Sequence, residues 1–178
     1  MAAQVSPVTA THPGAFPSVS AVGEAVSLTF YIAGKPVPKG RPRGRAVMKA
    51  GGKPWVQFYS DPATVDWEKY VSRRVLDQLD ELAARDDDIA IALPFTERCL
   101  VTLRFNLAKP KSTPKAQFPV KSRTDVDNLA KAVLDSLQNA GLIANDNIIT
   151  DLTVSKRYAD EDHPEGVEID ITALGASM

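Results

Sequence analysis

Between Val126 and Leu137, apolar residues fall at Val126, Leu129, Ala130, Val133, Leu134 and Leu137. That i, i+3, i+4, i+7, i+8, i+11 spacing draws one buried stripe along an α-helix. A helix with a single apolar stripe gains its stability by lying on another layer. The rest of the chain offers that layer. Leu28, Phe30 and Ile32 alternate with polar or small residues, as do Val101, Leu103, Phe105 and Leu107, and later Val167, Ile169 and Ile171. Period-two patterns of this kind predict half-buried strands. Two short strands are expected near Ala46 to Lys49 and Trp55 to Tyr59, turning at Gly51-Gly52, and a further strand near Ile148 to Arg157. Asp61-Pro62 is a helix start, and Val65, Val71, Val75, Leu76, Leu79 and Leu82 carry that helix to about Arg85. The stripe helix should stop at Gly141. The expected class is α+β, a mixed or antiparallel sheet packed against two main helices.

A length of 178 residues suits one domain. Residues 1–25, rich in Ala, Ser, Val, Thr and Pro, lack a sustained period and are expected to be a flexible tail or neighbour-dependent arm. Residues 26–178 form the domain. No stretch approaches a membrane span, and the N-terminus lacks the pattern of a signal peptide, so a cytoplasmic protein with no membrane partner is expected. The single cysteine, Cys99, reads as a core or edge residue, because only two histidines exist to activate it and no local base accompanies it. His163 reads as an exposed structural residue, and Asp86-Asp87-Asp88 as a solvated loop closing the first helix.

The formal net charge of −1 hides a segregation. From Val26 to Ser60 there are seven cations and no acid, and from Arg98 to Thr124 again seven and none. The remainder carries −15. Cation-rich, acid-free segments of this length favour phosphate contacts, which supply affinity without reading sequence. The first contains Lys39, Arg41 and Arg43 in a Pro/Gly-rich stretch that forbids regular structure, and the second contains Lys109, Lys111, Lys121 and Arg123. These seven are the candidate DNA-binding residues. Trp55 and Phe58 could stack on bases, but core or hairpin packing is the favoured reading for both. Trp67 and Tyr70 belong to the first helix, as core or dimer surface.

The second cationic segment runs directly into Asp125-Val126-Asp127-Asn128-Leu129, with Lys131 and Asp135 following. Two readings stand. Acids at a helix N-terminus can cap free N–H groups and favour the dipole, and Asp127 to Lys131 is an ordinary i, i+4 ion pair. Alternatively, Asp125 and Asp127, joined by Asp146 from the Asn145-Asp146-Asn147 turn, could hold a hard divalent ion. Phosphodiester hydrolysis needs such ions to activate water and neutralise phosphate, and Lys131 would add charge stabilisation.

At these residues the chain resembles the RusA-like Holliday-junction resolvases, over about residues 27 to 172. The motif is the Asp125-Val126-Asp127-Asn128-Leu129 run opening a helix, then Lys131, Asp135, Leu137, Gly141 and Asp146. Pro38-Lys39-Gly40-Arg41-Pro42-Arg43 and the Asp61-Pro62 helix entry also look like the family's. The resemblance implies a homodimeric, Mg²⁺-dependent endonuclease (Mn²⁺ a possible substitute) cutting branched DNA in recombination and repair, in a bacterial or phage-infected cytoplasm. It implies Asp125, Asp127, Lys131 and Asp146 as catalytic, the three aspartates as metal ligands. One departure is Asn145, where the family turn has an acid. An uncharged ligand there keeps open a branched-DNA-binding protein without cleavage activity. A metal enzyme acting on small phosphoesters is disfavoured by the 14 segregated cations.

Overall fold

The computed structural model describes residues 17–22, 25–41, 43–48, 55–85, 91–112 and 124–175. The elements in chain order are strands β1 (Ser18–Val22), β2 (Ala25–Ala33), β3 (Arg43–Val47) and β4 (Trp55–Tyr59), helix α1 (Pro62–Arg85), strand β5 (Cys99–Leu107), helix α2 (Val126–Asn139), a 3₁₀ turn (Asp146–Ile148), and strands β6 (Ile149–Tyr158) and β7 (Gly166–Leu174). Five strands form one sheet in the order β1-β2-β7-β5-β6, and β3 pairs with β4 alone. Every neighbouring pair is antiparallel except β5 and β6, which run parallel with α2 as their crossover. The expected mixed α+β architecture is what the chain adopts.

Register aligns the apolar alternation into rows. Leu28, Ile171 and Val101 lie side by side, as do Phe30, Ile169 and Leu103, and Ile32, Val167 and Phe105. All nine are buried, together with Val71, Val75 and Leu82 of α1 and Leu129, Val133 and Leu137 of α2. At roughly 1.5–3 kcal/mol per fully buried large apolar side chain, this one face supplies the main drive for folding. Cys99 is buried at the start of β5, and loss of hydration pushes its thiol up to about 11, consistent with an inert core residue.

Local signals set the element ends. Asp61 caps α1 by accepting the Ala63 N–H on Oδ1 at 3.0 Å. α2 ends in paired bonds from Gly141 N to Gln138 O and Leu142 N to Leu137 O, both 3.0 Å, with Gly141 at φ 71°. That left-handed position favours glycine, as its place after the stripe predicts. Gly166 is required for space: a Cβ there would lie 2.4 Å from Ile32 O and 2.8 Å from the Tyr31 hydroxyl.

Two regions depart from the sequence expectation. Ser18–Val22, inside the stretch read as a tail, forms edge strand β1 against β2. Its burial is mostly low, so no periodic pattern marked it. Beyond Thr29, the last β2 residue paired with β1, Gln78 of α1 takes over. Its amide accepts from Tyr31 N at 3.2 Å and donates to Tyr31 O at 2.9 Å, satisfying the sheet edge as a strand would. The second departure is the β3–β4 hairpin. Trp55 and Phe58, favoured above as packed residues, are 52% and 70% exposed, and every residue of β4 is exposed. Trp67 is buried as a core residue of α1, whereas Tyr70 remains 41% exposed and donates its hydroxyl to Ala33 O at 3.0 Å. His163 caps its own loop through Asp160. Asp86-Asp87-Asp88 lies outside the described residues.

Candidate active site

The proposed carboxylates come from two elements: Asp125 and Asp127 at the N-terminus of α2, and Asp146 in the 3₁₀ turn that contacts α2. The backbone there is held from two sides. Lys156 of β6 donates its ammonium to Thr124 O at 2.9 Å, and Lys39 N donates to Asn128 O at 2.8 Å. The parallel β5–β6 pair and the proline-rich loop thus grip the helix mouth that carries Asp125 and Asp127. Asp125 is the N-cap residue in extended conformation (φ −69°, ψ 137°), and its carbonyl accepts the Leu129 N–H at 3.1 Å. Among the described residues its carboxylate makes no capping hydrogen bond. The side chain is exposed, as is that of Asp127. Capping therefore does not account for Asp125.

Lys131 lies one turn further along α2. Its ammonium is 3.6 Å from Asp135 Oδ1 and 3.9 Å from Asp146 Oδ2. The simple Asp127–Lys131 pair is replaced by contacts with these two acids, because the 3₁₀ turn folds back along α2 and presents Asp146. Asp135 also binds Lys39 Nζ at 2.7 Å, and Lys39 Nζ meets Glu68 Oε1 of α1 at 2.5 Å. Alternating charges therefore run Glu68, Lys39, Asp135, Lys131, Asp146 from α1 across α2 to the turn. Burial pulls the Lys39 pKa down, but hydrogen bonds to Asp135 and Glu68 outweigh it and leave the group raised.

Asn145, the departure from the family pattern, caps the 3₁₀ turn: its side-chain oxygen accepts the Asn147 N–H at 3.0 Å. A carboxylate would make the same bond, so the amide keeps the turn that positions Asp146. Asp151 faces away, held by Arg98 at 3.0 Å on the exposed side of the sheet.

The donor set of Asp125, Asp127 and Asp146 is all oxygen, carboxylate and exposed, which suits a hard divalent ion. Among the described residues no three acids, histidines or cysteines are drawn into one metal-holding group. Mutual repulsion of like charges opposes such a group until a cation compensates it.

The candidate DNA-binding residues have different surroundings. Arg41 and Lys111 are exposed. Lys109 lies over the Tyr158 ring, 5.6 Å from its centroid. Arg43 pairs through its backbone with Tyr59 in the hairpin. Lys39 is enclosed by two carboxylates, with 27% of its side chain exposed. Lys121 and Arg123 lie outside the described residues. Sequence reasoning missed Glu68 and Lys156. Neither belongs to a local motif, since each reaches the site across elements far apart in the chain.

The family model for endodeoxyribonuclease RusA matches residues 33–172. The chain is 25% identical over 150 residues to the crossover junction endodeoxyribonuclease RusA of Aquifex aeolicus (strain VF5), covering 84% of this chain and 94% of that protein. With both helices, strands β3 to β6, the helix mouth and the acidic turn inside the matched span, the chain belongs to the endodeoxyribonuclease RusA family.

Proposed function

We propose that this protein is a magnesium-dependent endonuclease that resolves four-way DNA junctions as a homodimer, in recombination and repair. The observation that carries the reading is the Asp125 carboxylate, exposed at the helix mouth and unspent as a cap, on a backbone gripped by Lys156 and Lys39. Asp125, Asp127 and Asp146 would hold the ion, with Mn²⁺ able to replace Mg²⁺. When bound, it supplies charge neutralisation at the scissile phosphate and an activated water. Lys131, 58% exposed and beside Asp146, orients that water or stabilises the charged transition state. Asp135 restrains the lysine from the other side. Arg41 and Lys111 contact phosphates of the duplex arms. A two-fold dimer would present two such sites to strands of opposite arms.

The rival reading, a junction binder without cleavage, rested on Asn145. The Asn145 capping bond supports the cleavage reading instead, because it keeps the turn that an acid there would keep in the same way. The test is nicking of a synthetic four-way junction with Mg²⁺ present. Asp127→Asn is expected to lower cleavage by at least about 10²-fold while junction binding persists. Wild-type rates in that variant would overturn the assignment.

A further inference from the structure

Among the described residues, strands β3 and β4 pair only with each other, as a separate two-stranded ribbon. Such ribbons are marginal in water without a covering surface. This one leaves Trp55, Val56, Phe58 and Tyr59 exposed at 52%, 54%, 70% and 47%, with Met48 beside them at 80%. Cross-strand register gives the ribbon two unlike faces. On one, Phe58 and Val56 flank Gly44: a Cβ at Gly44 would lie 2.9 Å from Val56 and 3.5 Å from the Phe58 ring. That face is apolar. The other is lined by Arg45, Gln57 and Tyr59 around a recess of about 510 Å³.

The occupant follows from charge and position. The chain from Val26 to Ser60 holds no acid, so the ribbon carries cationic charge that its own strands do not compensate. Its base is anchored beside the candidate active site. Gly40 N contacts Thr64 Oγ1 at 3.3 Å and Lys39 N contacts Asn128 O at 2.8 Å on the incoming side, and Asp61 opens α1 on the outgoing side. Five residues of strand reach about 17 Å from that base. By strand alternation Trp55, paired with Val47, shares the face of Arg45, Gln57 and Tyr59, so each face of the ribbon carries an exposed aromatic, and such side chains are where unstacked bases bind. A paired linear duplex offers no such bases, whereas a branch point does.

We propose that the β3–β4 ribbon enters the centre of branched DNA, where Phe58 from one face and Trp55 from the other stack on bases exposed at the crossover and Arg45 and Gln57, beside Trp55, hold the adjoining strand. This rests on the junction reading above and names the feature that separates junctions from linear duplex. The test measures affinity for a four-way junction and for linear duplex with wild type, Phe58→Ala and Trp55→Ala, alongside fluorescence of 2-aminopurine placed at the crossover. Each variant is expected to lose about tenfold in junction affinity and less in duplex affinity, and 2-aminopurine emission should change with wild type but not with Phe58→Ala. Quenching of tryptophan emission in the unsubstituted protein by junction but not duplex is a second expected result, independent of how the variants fold. An unchanged junction-to-duplex ratio would overturn the inference. So would conversion of a wild-type dimer to monomers by Phe58→Ala with the 2-aminopurine response retained, which would make the ribbon a contact between two copies of this chain. Wild type that cuts junctions while the variants keep their selectivity removes this inference alone. Wild type that neither prefers nor cuts junctions removes the junction reading and this inference together.

Discussion

Strand β5 and the β3–β4 ribbon come from the two stretches of chain that hold cations and no acids, yet their surfaces differ. On β5, Arg104 meets Asp170 at 2.5 Å and Glu168 at 3.9 Å. Arg157 of β6 joins the same group through Glu168 at 2.6 Å and Asn106 at 2.7 Å. Arg98, just before β5, pairs with Asp151 of β6. The acids arrive from β7 and β6, remote in sequence and adjacent in the sheet. The ribbon pairs β3 with β4, both drawn from the same acid-free stretch, so strand pairing brings no acid beside it among the described residues. Segregation of charge along a chain becomes segregation on a surface only where strand pairing stays within the segment.

The largest stability effect is expected at Lys39, the cation of the first segment that tertiary contacts do enclose. Lys39→Met leaves Glu68 and Asp135 facing one another and should cost about 2 kcal/mol in urea denaturation at neutral pH. The sign with pH follows from the raised folded-state pKa. The stabilisation is complete below the unfolded value near 10.5 and is lost as pH rises through the higher folded value. Wild type should therefore lose stability above about pH 10 more steeply than Lys39→Met. Parallel curves would show that Lys39 is not held by its two acids.

A crossed pair of substitutions tests the comparison more directly. Arg104→Ala should cost about 1 kcal/mol, a figure reduced because more than a third of the side chain is exposed, while DNA affinity holds. Arg45→Ala should leave stability within about 0.5 kcal/mol yet weaken DNA binding and lower the salt slope by about 1. Reversed outcomes would show that the sheet face, rather than the ribbon, meets phosphate.

The smallest effect belongs to the exposed Arg98–Asp151 pair. Hydrogen bonds from Arg98 and then Thr150 hold the Asp151 carboxyl below its ordinary range. Its contribution is present above the unfolded pKa and fades as pH falls through the lower folded value. Asp151→Asn should slightly lower neutral-pH stability, with the difference from wild type closing as pH falls through the acid limb, and leave cleavage unchanged. A marked loss of cleavage would place Asp151 in the site.

Local rules carried much of this molecule. The stripe from Val126 to Leu137, the Asp61-Pro62 start, the Gly141 stop and the alternating strands each depend on interactions within a few residues, so their positions are legible in the sequence. The run from Asp125 to Lys131 was legible for the same reason. Edge strand β1 was not, because an exposed strand needs no alternation and takes its register from β2. Nor were Glu68 and Lys156, whose work depends on α1 and β6 arriving beside α2. The exposure of Trp55 and Phe58 also waited for the tertiary structure, since an aromatic strand reads as core until the sheet it might join is complete without it. The sequence by itself determined the core elements, the reactive residue types and a total charge near zero. Tertiary structure decided which charges cancel and which remain for a partner, because Coulomb interactions depend on distance in space and strand pairing sets that distance without regard to position in the chain.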